Sequence, residues 1–189
     1  MEKYIAVIDT ETNWYDEVMS IGVVVADAFS FEAVSTRYFI LNPEAEKGGM
    51  YEYVLDYTRN NPSVICCRDD AIQNLKRWLE FYGIDKIYAY NAKFDMTHLK
   101  ELIYLDWYDI MGIAAYKQYN SKIPECAECF KTGRLKRNFG VEPIYRMLSG
   151  DDTYREIHNA LTDALDELDI MKFLNLNIDV YEKTKIIAK

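Results

Sequence analysis

The order in which hydrophobic period changes along this chain constrains its fold more than any other feature. Three apolar, β-branched runs come first, "KYIAVIDT", "EVMSIGVVVAD" and "VSTRYFILNP", with turn formers Asn13, Asp16 and Asp27 between them. Connections this short predict an antiparallel meander. After the breaker Asn60, Asn61 and Pro62 the period changes, and "RDDAIQNLKRWLEFYG" puts Ile72, Leu75, Leu79 and Tyr82 on one helical face, with Gly83 closing the helix. "DKIYAYN" reads as a short strand and "AKFDMTHLKELI" as a helix through Phe94, Leu99 and Leu102. Strand, helix and strand in this order predict a parallel crossover and a mixed sheet. The remainder reads as mostly helical: a helix in "DIMGIAAYKQY", a loop in "ECAECFKTGRLKRNFG" and a short helix in "VEPIYRML". A long helix follows in "HNALTDALDELDIMKFLNL", with Leu161, Leu165, Leu168 and Met171 toward the core. With no repeat and no low-complexity linker, residues 1–189 read as one α/β layered domain.

Length and composition support that reading. A chain of 189 residues, 50% hydrophobic and 28% charged, can bury a core without disulfides. The apolar run around "IGVVVADAF" is about half of the roughly 20 residues a membrane span needs, so no membrane partner is expected. The first strand leaves no room for a secretion signal, and a cytoplasmic location is the expectation, with Cys66, Cys67, Cys126 and Cys129 reduced. Cys126-x-x-Cys129 has zinc-like spacing. A structural zinc needs four ligands, however, and the adjacent Cys66 and Cys67 are a poor second pair, so zinc is left undecided. A net charge of −9 argues against holding long duplexes by charge alone but leaves room for contact at a chain end. The basic run "KTGRLKR", Lys131 to Arg137, is either a solvated loop or a phosphate-tracking patch.

Chemistry gathers at carboxylates. Asp9 and Glu11 end the first strand, and residues two apart in an extended chain point to the same side. Two neighbouring anions destabilise a fold unless a proton or a cation lies between them; Mg²⁺ or Mn²⁺ suits carboxylate oxygen. Alone, Asp9 could be a turn residue and Asp95 a partner for a helix dipole. In "YNAKFD", Asp95 follows a short strand, at the sheet edge where ligands of open α/β sheets bind. In "HNALTD", His158 stands at the helix start and Asp163 on the flank of the apolar stripe. Asp166, Glu167 and Asp169 continue the acidic run and read as a solvated face.

Asp-x-Glu in "VIDTET", Asn-x-x-x-Asp in "YNAKFD" and His-x-x-x-x-Asp in "HNALTD", in this order, resemble the three motifs of the DEDDh exonucleases. This DnaQ-like family includes ribonuclease T, oligoribonuclease and polymerase proofreading subunits. The resemblance implies a ribonuclease H-like three-layer fold, a mixed sheet beginning with the three-strand meander and flanked by helices on both faces. It also implies a metal-dependent hydrolase that removes nucleoside 5′-monophosphates from the 3′ end of single-stranded DNA or RNA. By position, Asp9, Glu11, Asp95 and Asp163 would hold two divalent ions (Mg²⁺ or Mn²⁺), Asp9 bridging both, and His158 would be the general base. Thr12, Trp14, Asn91 and Phe94 fall where substrate would lie. His98, three residues after Asp95, could pair with it geometrically, but the family pattern has no role for it.

Many members continue the first motif with Thr-Gly, whereas this chain has Asn13 and Trp14. Trp14 and Phe94 then either stack on bases or pack into the body, and Asn91 either orients substrate or ties the strand to the edge. Two rival functions stand beside the exonuclease: a catalytically silent interaction module, and an endonuclease or resolvase on the same fold. Sugar preference, processivity, pathway and the choice between monomer and homodimer are not written in these motifs.

Overall fold

A computed structural model describes residues 3–57 and 62–187; the Asn60 and Asn61 breaker lies outside the described residues. The three expected strands form as β1 (Tyr4–Thr12), β2 (Val18–Asp27) and β3 (Ala33–Leu41), each antiparallel to its neighbour. Two further strands match or extend the prediction on the other side: β5 (Lys86–Ala89) runs parallel to β1, and β6 (Asp106–Asp109) parallel to β5. With β4 (Val64–Cys66) beside β3, the sheet has the order β4-β3-β2-β1-β5-β6. β4 and β6 are absent from the sequence reading: β4 has only three residues, and β6, Asp-Trp-Tyr-Asp, has an acid at each end in place of the apolar run that marks the equally short β5.

The helices are α1 (Arg68–Phe81), α2 (Lys93–His98), α3 (Met111–Ala114), α4 (Val141–Ser149) and α5 (Ala160–Leu174). α2 is shorter than expected. Leu99 leaves the helical region at φ −114°, ψ 54°, and the chain continues as a 3₁₀ turn over Lys100–Leu102. The helix expected from Asp109 to Tyr119 shrinks to α3. Asp109 belongs instead to β6, and its Oδ1 accepts the backbone N–H groups of Asn91 (2.9 Å) and Met111 (3.0 Å).

Both faces of the sheet are covered, which produces two cores. Ile5, Val7 and Val24 pack with Leu161, Ala164, Leu168 and Met171 of α5, while Ala6, Ile8 and Val23 pack with Ile72, Leu75 and Leu79 of α1 and Met96 of α2. Strict alternation along β1 therefore sends odd-numbered residues toward α5 and even-numbered ones toward α1 and α2. α5 lies against β1, β2 and β3 and also meets α4, so more than one stripe of it is enclosed. That corrects one expectation: Asp166 and Glu167 are 0% and 1% exposed, and Asp169 is half-buried, where a solvated acidic face was expected.

One glycine sets how closely α5 approaches. Gly22 of β2 pairs in register with Asp9, and a Cβ placed there would lie 2.1–2.2 Å from the backbone of Ala160 and Leu161. No backbone tolerates that distance. The missing side chain lets the first turn of α5 rest directly over the end of β1. Gly22→Ala should therefore displace α5 and destabilise the fold by on the order of 3 kcal/mol, as overpacking against immobile backbone does. Urea unfolding checks this; a variant within about 0.5 kcal/mol of the wild type would show that the approach is not rigid.

Candidate active site

The two-residue period of β1 carries Asp9 and Glu11 onto the face already occupied by Ile5 and Val7, beneath the start of α5. A register shift between Glu11 and Thr12 ends the alternation there. Asp95 arrives from the opposite side. It is 2% exposed in α2, and its Oδ1 accepts a hydrogen bond from the Thr10 hydroxyl at 2.8 Å, so the residue between the paired acids tethers the third one. Of all the charges acting on Asp9, that of Asp95 is the strongest.

The fourth acid depends on how α5 begins. Asn159, fully buried, caps the helix: its Oδ1 accepts from the Thr162 N–H at 3.2 Å, and its Nδ2 donates to the Tyr38 hydroxyl and the Val54 carbonyl, both at 2.9 Å. His158 precedes the cap with φ +62°, a left-handed conformation uncommon outside glycine. This turn brings His158 and Asp163 to Glu11, and one ligand atom from each of the three lies within 4.8 Å of the others. The His158 ring stacks on Tyr51, centroids 4.1 Å apart at 17°, and its Nδ1 lies 3.9 Å from Glu156 Oε1.

The electrostatics of the cluster follow from burial and repulsion. Burial, followed by like charges, pushes Glu11 up to about 8 and Asp163 up to about 9. Burial raises Asp95 to about 7 against the opposing hydrogen bond from Thr10, and Asp9 goes well above the usual carboxylate range. Burial lowers His158, with the Glu142 charge pulling the other way, which favours the neutral ring. Asp9 Oδ2 and Asp163 Oδ1 are closed off from solvent and have no hydrogen-bond partner. Orphaned acceptors among four acids fit a hard divalent cation, and the donor set of carboxylate oxygens is the one Mg²⁺ and Mn²⁺ prefer.

The other sequence candidates divide. Trp14 is 64% exposed, so it does not pack into the body, and Phe94 is exposed at 38%, its ring 4.3 Å from that of His98. Thr12 is half-buried at the register break. Asn91 is exposed with φ +62°, and its backbone N–H, bound to Asp109, ties β5 to β6. His98 is engaged elsewhere, with Nδ1 2.9 Å from the Phe94 carbonyl and Nε2 3.0 Å from Asp16 Oδ1. Among the described residues, Cys126 and Cys129 gather no third histidine, cysteine or acid into a ligand group.

Sequence reasoning missed Thr10, Tyr51, Glu156, Asn159 and Glu167. Thr10 and Asn159 were adjacent to recognised motif residues, and an Asn before an apolar helix is a capping signal. Tyr51 had no signal, because its contact with His158 spans the chain.

No protein-family model and no curated protein matches this sequence. Solved structures do. The nuclease domain of 3′hExo, described as a DEDDh family member bound to rAMP, matches all of this chain with 98% of its own, at 15% identity and TM-score 0.65. Exonuclease X in complex with 5′ overhanging duplex DNA matches 95% of this chain with 98% of its own, at 17% identity and TM-score 0.57. Exonuclease I from E. coli in complex with a dT13 oligonucleotide matches 96% of this chain with 43% of its own, at 12% identity and TM-score 0.59. The fold is that of the DEDDh 3′-exonucleases. Within that DEDDh fold, the three motifs stand on β1, at the start of α2 and at the start of α5.

The raised carboxyls make the metal-free protein sensitive to pH with a definite sign. Each has a folded pKa above its unfolded value, so its contribution to stability is full below about pH 4 and is lost as pH rises through the folded values. With the values of about 7, 8 and 9 for Asp95, Glu11 and Asp163, the loss extends through pH 9. In EDTA the melting temperature should fall between pH 6 and 9, and Asp163→Asn should flatten part of that fall. Differential scanning calorimetry across this range checks both; a flat wild-type profile would contradict the buried cluster.

Proposed function

We propose that the protein is a metal-dependent 3′-to-5′ exonuclease that hydrolyses the terminal phosphodiester of single-stranded DNA or RNA and releases nucleoside 5′-monophosphates. The observation that carries this reading is the group formed by Glu11, His158 and Asp163, together with the orphaned, buried oxygens of Asp163 and of Asp9, two residues before Glu11 on β1. Two divalent ions held by Asp9, Glu11, Asp95 and Asp163 would polarise the scissile phosphate and stabilise the departing 3′ oxygen.

The chain's own groups account for the rest. His158, its neutral ring favoured by burial and steadied by Tyr51, accepts the proton of the attacking water. The exposed rings of Trp14 and Phe94, with Thr12 and Asn91 beside the motifs, offer a floor for the terminal nucleotide; an aromatic ring stacked on a base contributes about 1–3 kcal/mol.

A charged arch supports a polyanionic substrate. Lys117, Lys122, Lys131, Arg134, Lys136 and Arg137 stand against Glu125 and Glu128, giving residues 117–137 a net +4 while the rest of the chain carries −13. The arch is closed by bridges Tyr116↔Arg134 and Cys129↔Leu135. Its base reaches the active edge: the Tyr90 hydroxyl, next to Asn91, donates to the Phe139 carbonyl, and the Arg134 charge acts on Asp109. Lysines and arginines here would neutralise phosphates upstream of the cleaved bond.

The test is incubation with 5′-labelled single-stranded DNA and RNA in Mg²⁺ or Mn²⁺ and in EDTA, with closed circles in parallel. Stepwise shortening from the 3′ end, abolished by EDTA and absent on circles, is expected, and Asp163→Asn should lose on the order of 100-fold or more. Cutting of circles would favour an endonuclease, and binding without cleavage in every condition would leave an interaction module; either overturns the proposal. The kcat profile should fall on the acid side, with its limb displaced to lower pH than an ordinary histidine would give, as His158 gains a proton. Persistence of that limb in the residual activity of His158→Asn would remove the histidine from its role as base.

A further inference from the structure

We infer that Glu167 is a fifth acid of this centre, a positioning residue that strengthens cation binding from outside the ligand set while holding the turn that leads to Asp95. The inference rests on the metal-dependent reading above. Glu167 lies four residues after Asp163 on α5, the spacing that puts both on one helical face, and it is 1% exposed. Its Oε2 accepts the backbone N–H of Tyr90 at 3.0 Å. Tyr90 is followed by Asn91, whose positive φ turns the chain from β5 into α2, and α2 carries Asp95. One carboxylate therefore joins the helix that bears Asp163 to the turn that sets Asp95.

Support for that turn alone does not require a charge. A glutamine has an oxygen in the same place and would accept the Tyr90 N–H without burying an anion. What surrounds Glu167 makes the anion costlier still: the charges acting on it are those of Asp95, Asp163 and Glu156, and it in turn acts on Asp9. Among the described residues no lysine, arginine or histidine forms an ion pair with it. A buried carboxylate whose charged neighbours are acids, with one backbone N–H to offset them, opposes folding until positive charge enters. The independent sign that positive charge belongs here is Asp163 Oδ1, on a residue 3% exposed, without a partner and one helical turn away. Groups just beyond a metal's ligands fix those ligands and typically change metal affinity by 10–100-fold.

The test compares wild type, Glu167→Gln, Glu167→Met and Asp163→Asn for Mn²⁺ affinity by isothermal titration calorimetry and for melting temperature in EDTA and in saturating Mn²⁺. Glu167→Gln keeps both volume and the acceptor for Tyr90. It should weaken Mn²⁺ binding by about tenfold, raise the melting temperature in EDTA and shrink the shift that Mn²⁺ produces. Glu167→Met should weaken Mn²⁺ binding at least as much. A purely structural role predicts the reverse pattern, with Mn²⁺ affinity within twofold of the wild type and a lower melting temperature in EDTA; that result overturns the inference while leaving the nuclease reading intact. Failure of Glu167→Gln to fold would also overturn it, since the charge itself would then be holding the structure. If wild type and Asp163→Asn alike bind no Mn²⁺, the metal-dependent reading falls first and this inference with it.

Discussion

Burial of acids away from water, with mutual repulsion added to it, is the constraint around which this molecule is built. Asp9, Glu11, Asp95 and Asp163 come from three separate elements; loss of water pushes each away from ionisation, neighbouring acids add to it for Asp9, Glu11 and Asp163, and the Thr10 hydrogen bond opposes it for Asp95. Such a cluster is unstable left to itself, so the scaffold around it has to be stiff. The stiffness is visible in how each acid is held: Asp95 by the Thr10 hydroxyl, the start of α5 by the Asn159 cap, and the turn before α2 by Glu167 and Asp109. Apart from the Thr10 bond to Asp95, these contacts hold backbone or the helix cap, and Asp9 Oδ2 and Asp163 Oδ1 stay without a partner.

Much of this was legible in the sequence because it is local. The meander followed from three apolar runs separated by turn residues, and the shared side of Asp9 and Glu11 followed from strand alternation alone. The long β2, α1 and α5 were recognisable for the same reason. What was hidden depended on contacts between distant segments. β4 has too few residues to display a period and β6 has an acid at each end, and their strand character comes from pairing with β3 and β5.

The acidic run in α5 misled for a physical reason. An Asp-Glu pair in a helix is ordinarily solvated, and nothing near positions 166 and 167 says that α4 and the sheet will enclose them. Tyr154, whose hydroxyl donates to Asp166 at 2.6 Å, and Tyr90, whose N–H meets Glu167, are the partners that make this burial tolerable. Gly22 was equally silent: a glycine within a strand reads as a weak point, whereas here its bareness fixes the height of the helix above the acids.

Within the function proposed above, the raised carboxyls would tie ion uptake to acidity. Asp95, Glu11 and Asp163, lifted to about 7, 8 and 9, would keep protons near neutral pH until a divalent ion displaced them, so binding would release protons and tighten as pH rises. The basic stretch 117–137 would draw a polyanion through charge that salt screens. Salt would then govern capture of a strand, and proton release its cutting.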